Sequence, residues 1–308
     1  MSQIAANSPA PDQTALSQDD WQHRLDRIAN DPRMTESNIR AQGAIAKLGM
    51  PLLLAGVIGL VLTVIGAFSV SGRHALAAFE VGVFTALAMS LGSIFFLLVF
   101  HSLNAGWIIT GRRVFENMAS VVWFPWVCLV VVLVIEMANG GIFLKWLGSD
   151  SNYLLEKKAP YLNPGFFIVR VLIYGAVWIF LGTRFAGLSR QSDESGDRSL
   201  GRKARFTAGW GILLFALTTA FAAFDFLMSM DYRFFSTMWG VYFFASCALA
   251  SVSAAVLVLA VLRSRGKLDG LITEEHFHDL GKLMFAFTVF WAYTAFSQYF
   301  LIWYSNIP

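Results

Sequence analysis

Seven stretches of the chain, about 50–70, 81–101, 119–138, 164–184, 207–230, 237–262 and 283–304, are apolar over roughly 20 residues or more. That is the length a helix needs, at 1.5 Å per residue, to cross a hydrocarbon layer of about 30 Å. Each is too long for a strand and too apolar for the surface helix of a soluble protein. A backbone in lipid must satisfy its own hydrogen bonds, so such runs fold as helices. The sequence therefore predicts an all-α, polytopic integral membrane bundle of seven spans. Composition agrees: 56% of the 308 residues are hydrophobic and 14% are charged, against about 25% charged in a typical soluble domain. The net charge of +3 does not imply nucleic acid. Two cysteines, Cys128 and Cys247, exclude a disulfide framework, a four-cysteine zinc site and a self-contained iron–sulfur cluster.

Residues 1–46 differ from the rest. They carry Pro9, Pro11, several Ser and Gln, and mixed charges at Asp19, Asp20, Arg24, Asp26 and Arg27. No basic stretch leads into an apolar core ending in small residues, so this is not a signal peptide. It reads as a polar cytoplasmic tail with a short helix near 19–30 capped by Ser17, followed by a transmembrane domain over 47–308. Lys and Arg set the orientation. With the N-terminus inside, 15 cations fall on inner segments and five on outer loops. This predicts N-in and, with seven spans, C-out. The outer loop 139–163, mixing aromatic and charged residues, is expected to be a folded cap. The inner loop 185–205, rich in Ser, Asp and Arg, is expected to be solvated and mobile.

A charge within the bilayer costs at least about 2.5–3.5 kcal/mol on insertion scales, so each one needs a reason. Four stand out. Arg170 lies six residues into the fourth span, and Asp225 lies six residues before the outer-loop Asp231. Both are thus expected about 9 Å below the outer surface. Glu136 falls near the outer end of the third span, and Glu80 is expected to open the second. The four gather in the outer half. They point to a polar site built on Arg170 and Asp225 with Glu136, in which an arginine grips a carboxylate through two hydrogen bonds. A structural ion pair between helices is the plainer reading. Thr218 and Thr219, one to two turns from Asp225, and Ser297, Gln298 and Tyr299 of the last span add hydroxyls and an amide. These suit a proton relay or a quinone carbonyl, or ordinary helix–helix hydrogen bonding.

The five histidines are His23, His74, His101, His276 and His278. Only His101 approaches a span, so a pair of haem ligands facing each other at membrane depth is not available. His276 and His278, beside Glu274, Glu275 and Asp279, read better as a solvated helix start than as a metal site. No phosphate-binding glycine loop is found, and Lys282 only borders the last span, where a retinal protein would need a lysine within it. The chain has no visible means of moving electrons alone, so a redox role requires cofactors in partners.

Four strings carry a resemblance: AGWIITGRRVFENM (105–118), KKAPYLNPGFFIVRVLIYGAVW (157–178), FAAFDFLMSMDYRFFSTMWGVYFF (221–244) and HDLGKLMFAFTVFWAYTAFSQYFLIWYSNIP (278–308). They resemble the second quinone-binding-type membrane subunit of bacterial alternative complex III, a quinol:cytochrome c oxidoreductase. That subunit belongs to the polysulfide-reductase membrane-subunit-like (NrfD-like) superfamily. The resemblance spans most of 45–308. It implies two four-helix bundles plus flanking helices, about ten spans, so that the family would continue about three helices beyond Pro308. It implies a sister membrane subunit of the same fold, an iron–sulfur subunit, haem c subunits and, in some assemblies, a terminal oxidase. For this subunit it implies a proton-pathway or scaffolding role with a quinone-facing surface, and no cofactor held by its own ligands. The matching positions are Arg170, Asp225, Ser297, Gln298 and Tyr299. Two other classes share the buried charges: an ion or solute transporter, for which broken helices and repeated halves are expected, and a purely structural membrane subunit.

Overall fold

The computed structural model describes residues 30–40, 46–148, 153–197 and 199–306. The helix expected near 19–30 lies, but for its last residue, outside the described residues. The long elements are α1 (Gly49–Ser69), α2 (Gly72–Ser102), α3 (Arg112–Ser120), α4 (Trp123–Ala138), α5 (Tyr153–Lys158), α6 (Pro164–Ser195), α7 (Ser199–Phe226), α8 (Trp239–Ser264) and α9 (Glu274–Tyr304). With α3 and α4 counted as one segment, seven are long and apolar enough to cross a membrane. The chain is an all-α polytopic membrane bundle. The third segment breaks at Val121–Val122, just ahead of Pro125 in the first turn of α4. A proline fits there because a first-turn N–H has no helical partner to lose.

Helix α2 runs through the middle of the bundle and packs on α8, α7, α3, α4 and α1. Small residues make its closest approach. A Cβ added at Gly92 would sit 2.0 Å from the carbonyl oxygen of Cys247 on α8. One residue on, the Ser93 and Ser251 hydroxyls hydrogen-bond across the interface at 2.8 Å. Helices in lipid associate through such close backbone approach, because the lipid tails remove the hydrophobic drive. Gly92→Ala is therefore expected to lower stability by about 1–3 kcal/mol. Gly56→Ala on α1, where nothing lies within 4 Å of an added Cβ, is expected to be neutral or slightly stabilising. Unfolding of the purified protein in mixed micelles measures both. Helix α1 buries no residue, and α9 buries only Leu280 and Thr294.

Three expectations change. The segment 185–205, expected as a loop, is mostly helical in its described residues: α6 continues to Ser195 and α7 starts at Ser199, with Gly196 at φ +63° turning the chain after α6. The apolar run ends early, but the backbone continues helical past the interface, because water tolerates a polar helix. Glu80 does not open the second span, since α2 starts at Gly72 and places Glu80 two turns inside it. The described part of the amino-terminal tail is docked onto the bundle. The Asn38 side chain donates to the Asp269 carbonyl and accepts from the Asp269 N–H, and Leu268 N–H donates to the Asn38 carbonyl. Arg33 reaches the Gly270 carbonyl and pairs with Asp31, holding that carboxyl at about 2, well below its ordinary value.

The described part of the segment 139–163 is a folded cap. A 3₁₀ turn at Lys145–Leu147 buries Leu144 and Trp146, and Trp146 meets Phe167 of α6 edge-on at 5.4 Å.

Candidate functional site

Helix α6 buries Phe167, Arg170, Tyr174, Trp178, Leu181 and Phe185, a stripe spaced three and four apart. Helix α7 buries Phe215, Thr218, Ala222, Asp225 and Phe226 on the same period. This spacing puts Arg170 and Asp225 on facing stripes of adjacent helices. Asn163 starts α6: its side-chain oxygen accepts from Phe166 N–H at 2.9 Å, and Pro164 takes the first helical position. The cap fixes where along the axis Arg170 falls.

Asp225 is 0% exposed and Arg170 6%. Arg170 Nε donates to Asp225 Oδ2 at 2.7 Å, and Nη2 donates to Oδ1 at 2.8 Å. A third donor, the Tyr174 hydroxyl one turn along α6, reaches Oδ2 at 2.7 Å. The remaining guanidinium nitrogen, Nη1, donates to the Tyr161 carbonyl at 2.9 Å. The Tyr161 and Phe166 rings flank the guanidinium, with centroids 3.9 and 4.4 Å from its carbon. A delocalised cation against ring faces loses less on leaving water than an ammonium does. The Tyr161 phenol, in the loop before α6, is pushed up from its ordinary value by burial first and by the Asp225 carboxylate second. On the backbone side, the Ser229 hydroxyl donates to the Asp225 carbonyl. Every charge here has its partner, as low-dielectric burial demands.

The cluster is wired toward one end of the bundle. Its bonds run out through Tyr161 to the loop preceding α6, and Lys158, the last residue of α5, donates to the Tyr232 carbonyl. In the other direction Trp178 Nε1 donates to Thr218 Oγ1 at 3.1 Å, and Thr218 donates to its own helix at Leu214 O. Tyr174 meets Trp178 ring to ring, so the Trp178–Thr218 pair lies beside the cluster with no hydrogen bond among the described residues joining the two. The Thr219 hydroxyl, buried beside it, has no hydrogen-bond partner among the described residues.

The other expected residues are placed apart. Glu136 is 2% exposed, but it serves the cap rather than Arg170: its Oε2 accepts from Phe143 and Leu144 N–H at 2.9 and 3.1 Å. Glu80 lies within electrostatic reach of Glu136. It lines a surface groove of about 550 Å³ with Phe84, Phe143, Met230, Phe243 and Ser246. Ser297, Gln298 and Tyr299 do not join the cluster. Ser297 bonds its own helix at Thr294 O, Gln298 accepts from Ser236, and Tyr299 is 64% exposed. His276 caps α9 by bonding Thr273, the helix start expected of it. His101, in the last turn of α2, stacks on Phe185. Among the described residues, no three His, Cys, Asp or Glu side chains are grouped closely enough to hold a metal ion.

Sequence reasoning missed Tyr174 and Tyr161. Tyr174 had a signal, since it follows Arg170 by four residues and so shares its helix face. Tyr161 had none, because it acts through a backbone carbonyl and a ring face in a loop. No family model matches the chain, and no curated protein matches it.

Proposed function

We propose that the chain is a membrane subunit of a quinol-oxidising respiratory complex of the alternative complex III type. In this reading it sits in a bacterial inner membrane with its N-terminus in the cytoplasm. It scaffolds the assembly and carries protons at the outer side through the Arg170–Asp225–Tyr174 cluster. One observation carries the reading: a carboxylate with no solvent exposure, held by an arginine and a phenol, and bonded onward, among the described residues, to the loop before α6. Lysine and arginine bias makes that loop end the outer one, which suits proton release there. The strings around Arg170 and Asp225 are those that resemble the family. Electron transfer falls to iron–sulfur and haem c partners. A quinone-facing surface is best placed in the groove at Glu80, whose wall combines one carboxylate and the Ser246 hydroxyl with Phe84 and Phe243.

A structural reading is favoured by a specific observation as well, the full satisfaction of the Asp225 oxygens, and the same experiment separates the two. Affinity purification of the full chain from its own membranes is expected to bring down haem c and iron–sulfur partners. Isolation without them defeats the proposal. In the assembled complex, Asp225→Asn is expected to lower quinol turnover about a hundredfold, the range of a lost proton-transfer group. Unchanged turnover and unchanged proton release in an intact complex would leave Arg170 and Asp225 a helix clamp.

A further inference from the structure

The end of the bundle opposite the Arg170–Asp225 cluster carries a second polar feature, where α6 finishes and α7 begins. A groove of about 350 Å³ is lined by Arg184, Ser199, Arg202, Lys203, Phe206 and Thr207. A second, of about 200 Å³, shares Arg184 and adds Phe180 and Leu188. Three cations therefore meet in one concave surface. None of the three side chains makes an ion pair or hydrogen bond among the described residues. Asp197 lies within electrostatic reach of Lys203 and Arg202 but spends its oxygens on α7, accepting from the Ser199 N–H at 2.8 Å and from the Ser199 hydroxyl. The wall also carries the hydroxyls of Ser199, Thr207 and Thr183 and the rings of Phe206 and Phe180. Phe206 is 77% exposed, and Phe180 is exposed on the facing helix.

Unpaired cations clustered at a helix end, with aromatic rings beside them, match the headgroup boundary of a bilayer in both charge and depth. Cations with no protein partner in a concave site call for an anion. The aromatic wall calls for an anion that brings hydrocarbon with it. We infer that this groove binds an anionic phospholipid, its phosphate held by Arg184, Arg202 and Lys203 and its acyl chains lying along Phe206 and Phe180. The geometry suits the task. Arg184 projects from α6, while Arg202 and Lys203 come from α7, so the phosphate bridges the two helices at the end away from their Arg170–Asp225 pair. The inference needs the membrane embedding of the helices and nothing of the respiratory reading.

Native mass spectrometry of the full chain, released from detergent with phosphatidylglycerol or phosphatidylcholine of the same acyl chains, tests it. The wild type is expected to prefer phosphatidylglycerol by about a hundredfold. That is roughly fivefold, or about 1 kcal/mol, for each cation. Arg184→Gln/Arg202→Gln/Lys203→Gln is expected to abolish the preference. Arg263→Gln/Arg265→Gln, which removes as much charge per residue from another helix at the same end, is expected to keep it. Phe206→Ser is expected to weaken both lipids with the preference intact. Arg184→Gln alone, an exposed single change, serves if the triple variant does not fold, and is expected to reduce the preference about fivefold. A wild type without preference, a triple variant that keeps it, or displacement of the lipid by excess inorganic phosphate overturns the inference, the last by making this a free-anion site.

Discussion

Replacing Asp225 by Leu is expected to destabilise the bundle by about 3–5 kcal/mol, while the double change Asp225→Leu/Arg170→Met recovers most of that loss. The reason is which charge remains. Without Asp225, the Arg170 guanidinium stays 6% exposed with two of its three bonded nitrogens unpaired. It cannot shed its proton, and an uncompensated buried charge is the costly outcome of breaking such a pair. Removing both charges replaces them with apolar side chains of similar volume, which buried pairs often tolerate with little or no loss. Arg170→Met alone is expected to cost less than Asp225→Leu, because a lone carboxyl has a route to neutrality and a lone guanidinium has none. Unfolding in mixed micelles gives all three values, and the double-mutant cycle gives a coupling energy. Equal costs for the two single variants, or a double variant no better than Asp225→Leu, would contradict this account.

The same asymmetry governs how functional variants are interpreted. Asp225→Asn keeps the shape of the side chain but still leaves Arg170 without its counter-charge, so some loss of assembly is expected. Turnover is therefore to be measured per assembled complex. Tyr174→Phe is the gentler probe. It removes one 2.7 Å bond to Oδ2, worth about 1.5–3 kcal/mol to a charged acceptor, and leaves the ion pair in place.

The spans were legible because period and length in an apolar run admit one solution in lipid. The Arg170–Asp225 pair was legible for a related reason: a charge among apolar residues is conspicuous, and two at the same calculated depth on successive spans invite pairing. What escaped depends on contacts that carry no compositional trace. The polar stretch at 185–195 reads like a loop, yet it stays helical because a hydrated helix needs no apolar stripe. Asn38 bonds the 268–269 backbone across more than 200 residues of chain, and a polar tail reveals nothing of that. The FSQY string stood out as unusual in a membrane helix, but α9 packs chiefly on α8, which keeps Ser297, Gln298 and Tyr299 away from α6 and α7. Glu136 was found by its depth and assigned the wrong neighbour, since its donors are two backbone amides in a turn seven and eight residues on.

That turn makes the second large effect. Glu136→Ala is expected to lower stability by about 3–5 kcal/mol, and Glu136→Gln by about 1 kcal/mol or less. The carboxylate's Oε2 ends the α4 helix by gathering the N–H groups of Phe143 and Leu144, and Leu144 and the adjoining Trp146 are buried beneath the cap. Two amides left without an acceptor in a dry site each cost about 1–3 kcal/mol. The alanine also opens a void where a side chain of four heavy atoms had been. Glutamine keeps an acceptor oxygen at the same reach, so it preserves both bonds and gives up only the charge. Hydrogen exchange at Phe143 and Leu144 gives the direct reading: fast in Glu136→Ala, close to wild type in Glu136→Gln. If glutamine behaves like alanine, the charge and not the acceptor is what the cap requires. A clamp that works by geometry alone is indifferent to that charge.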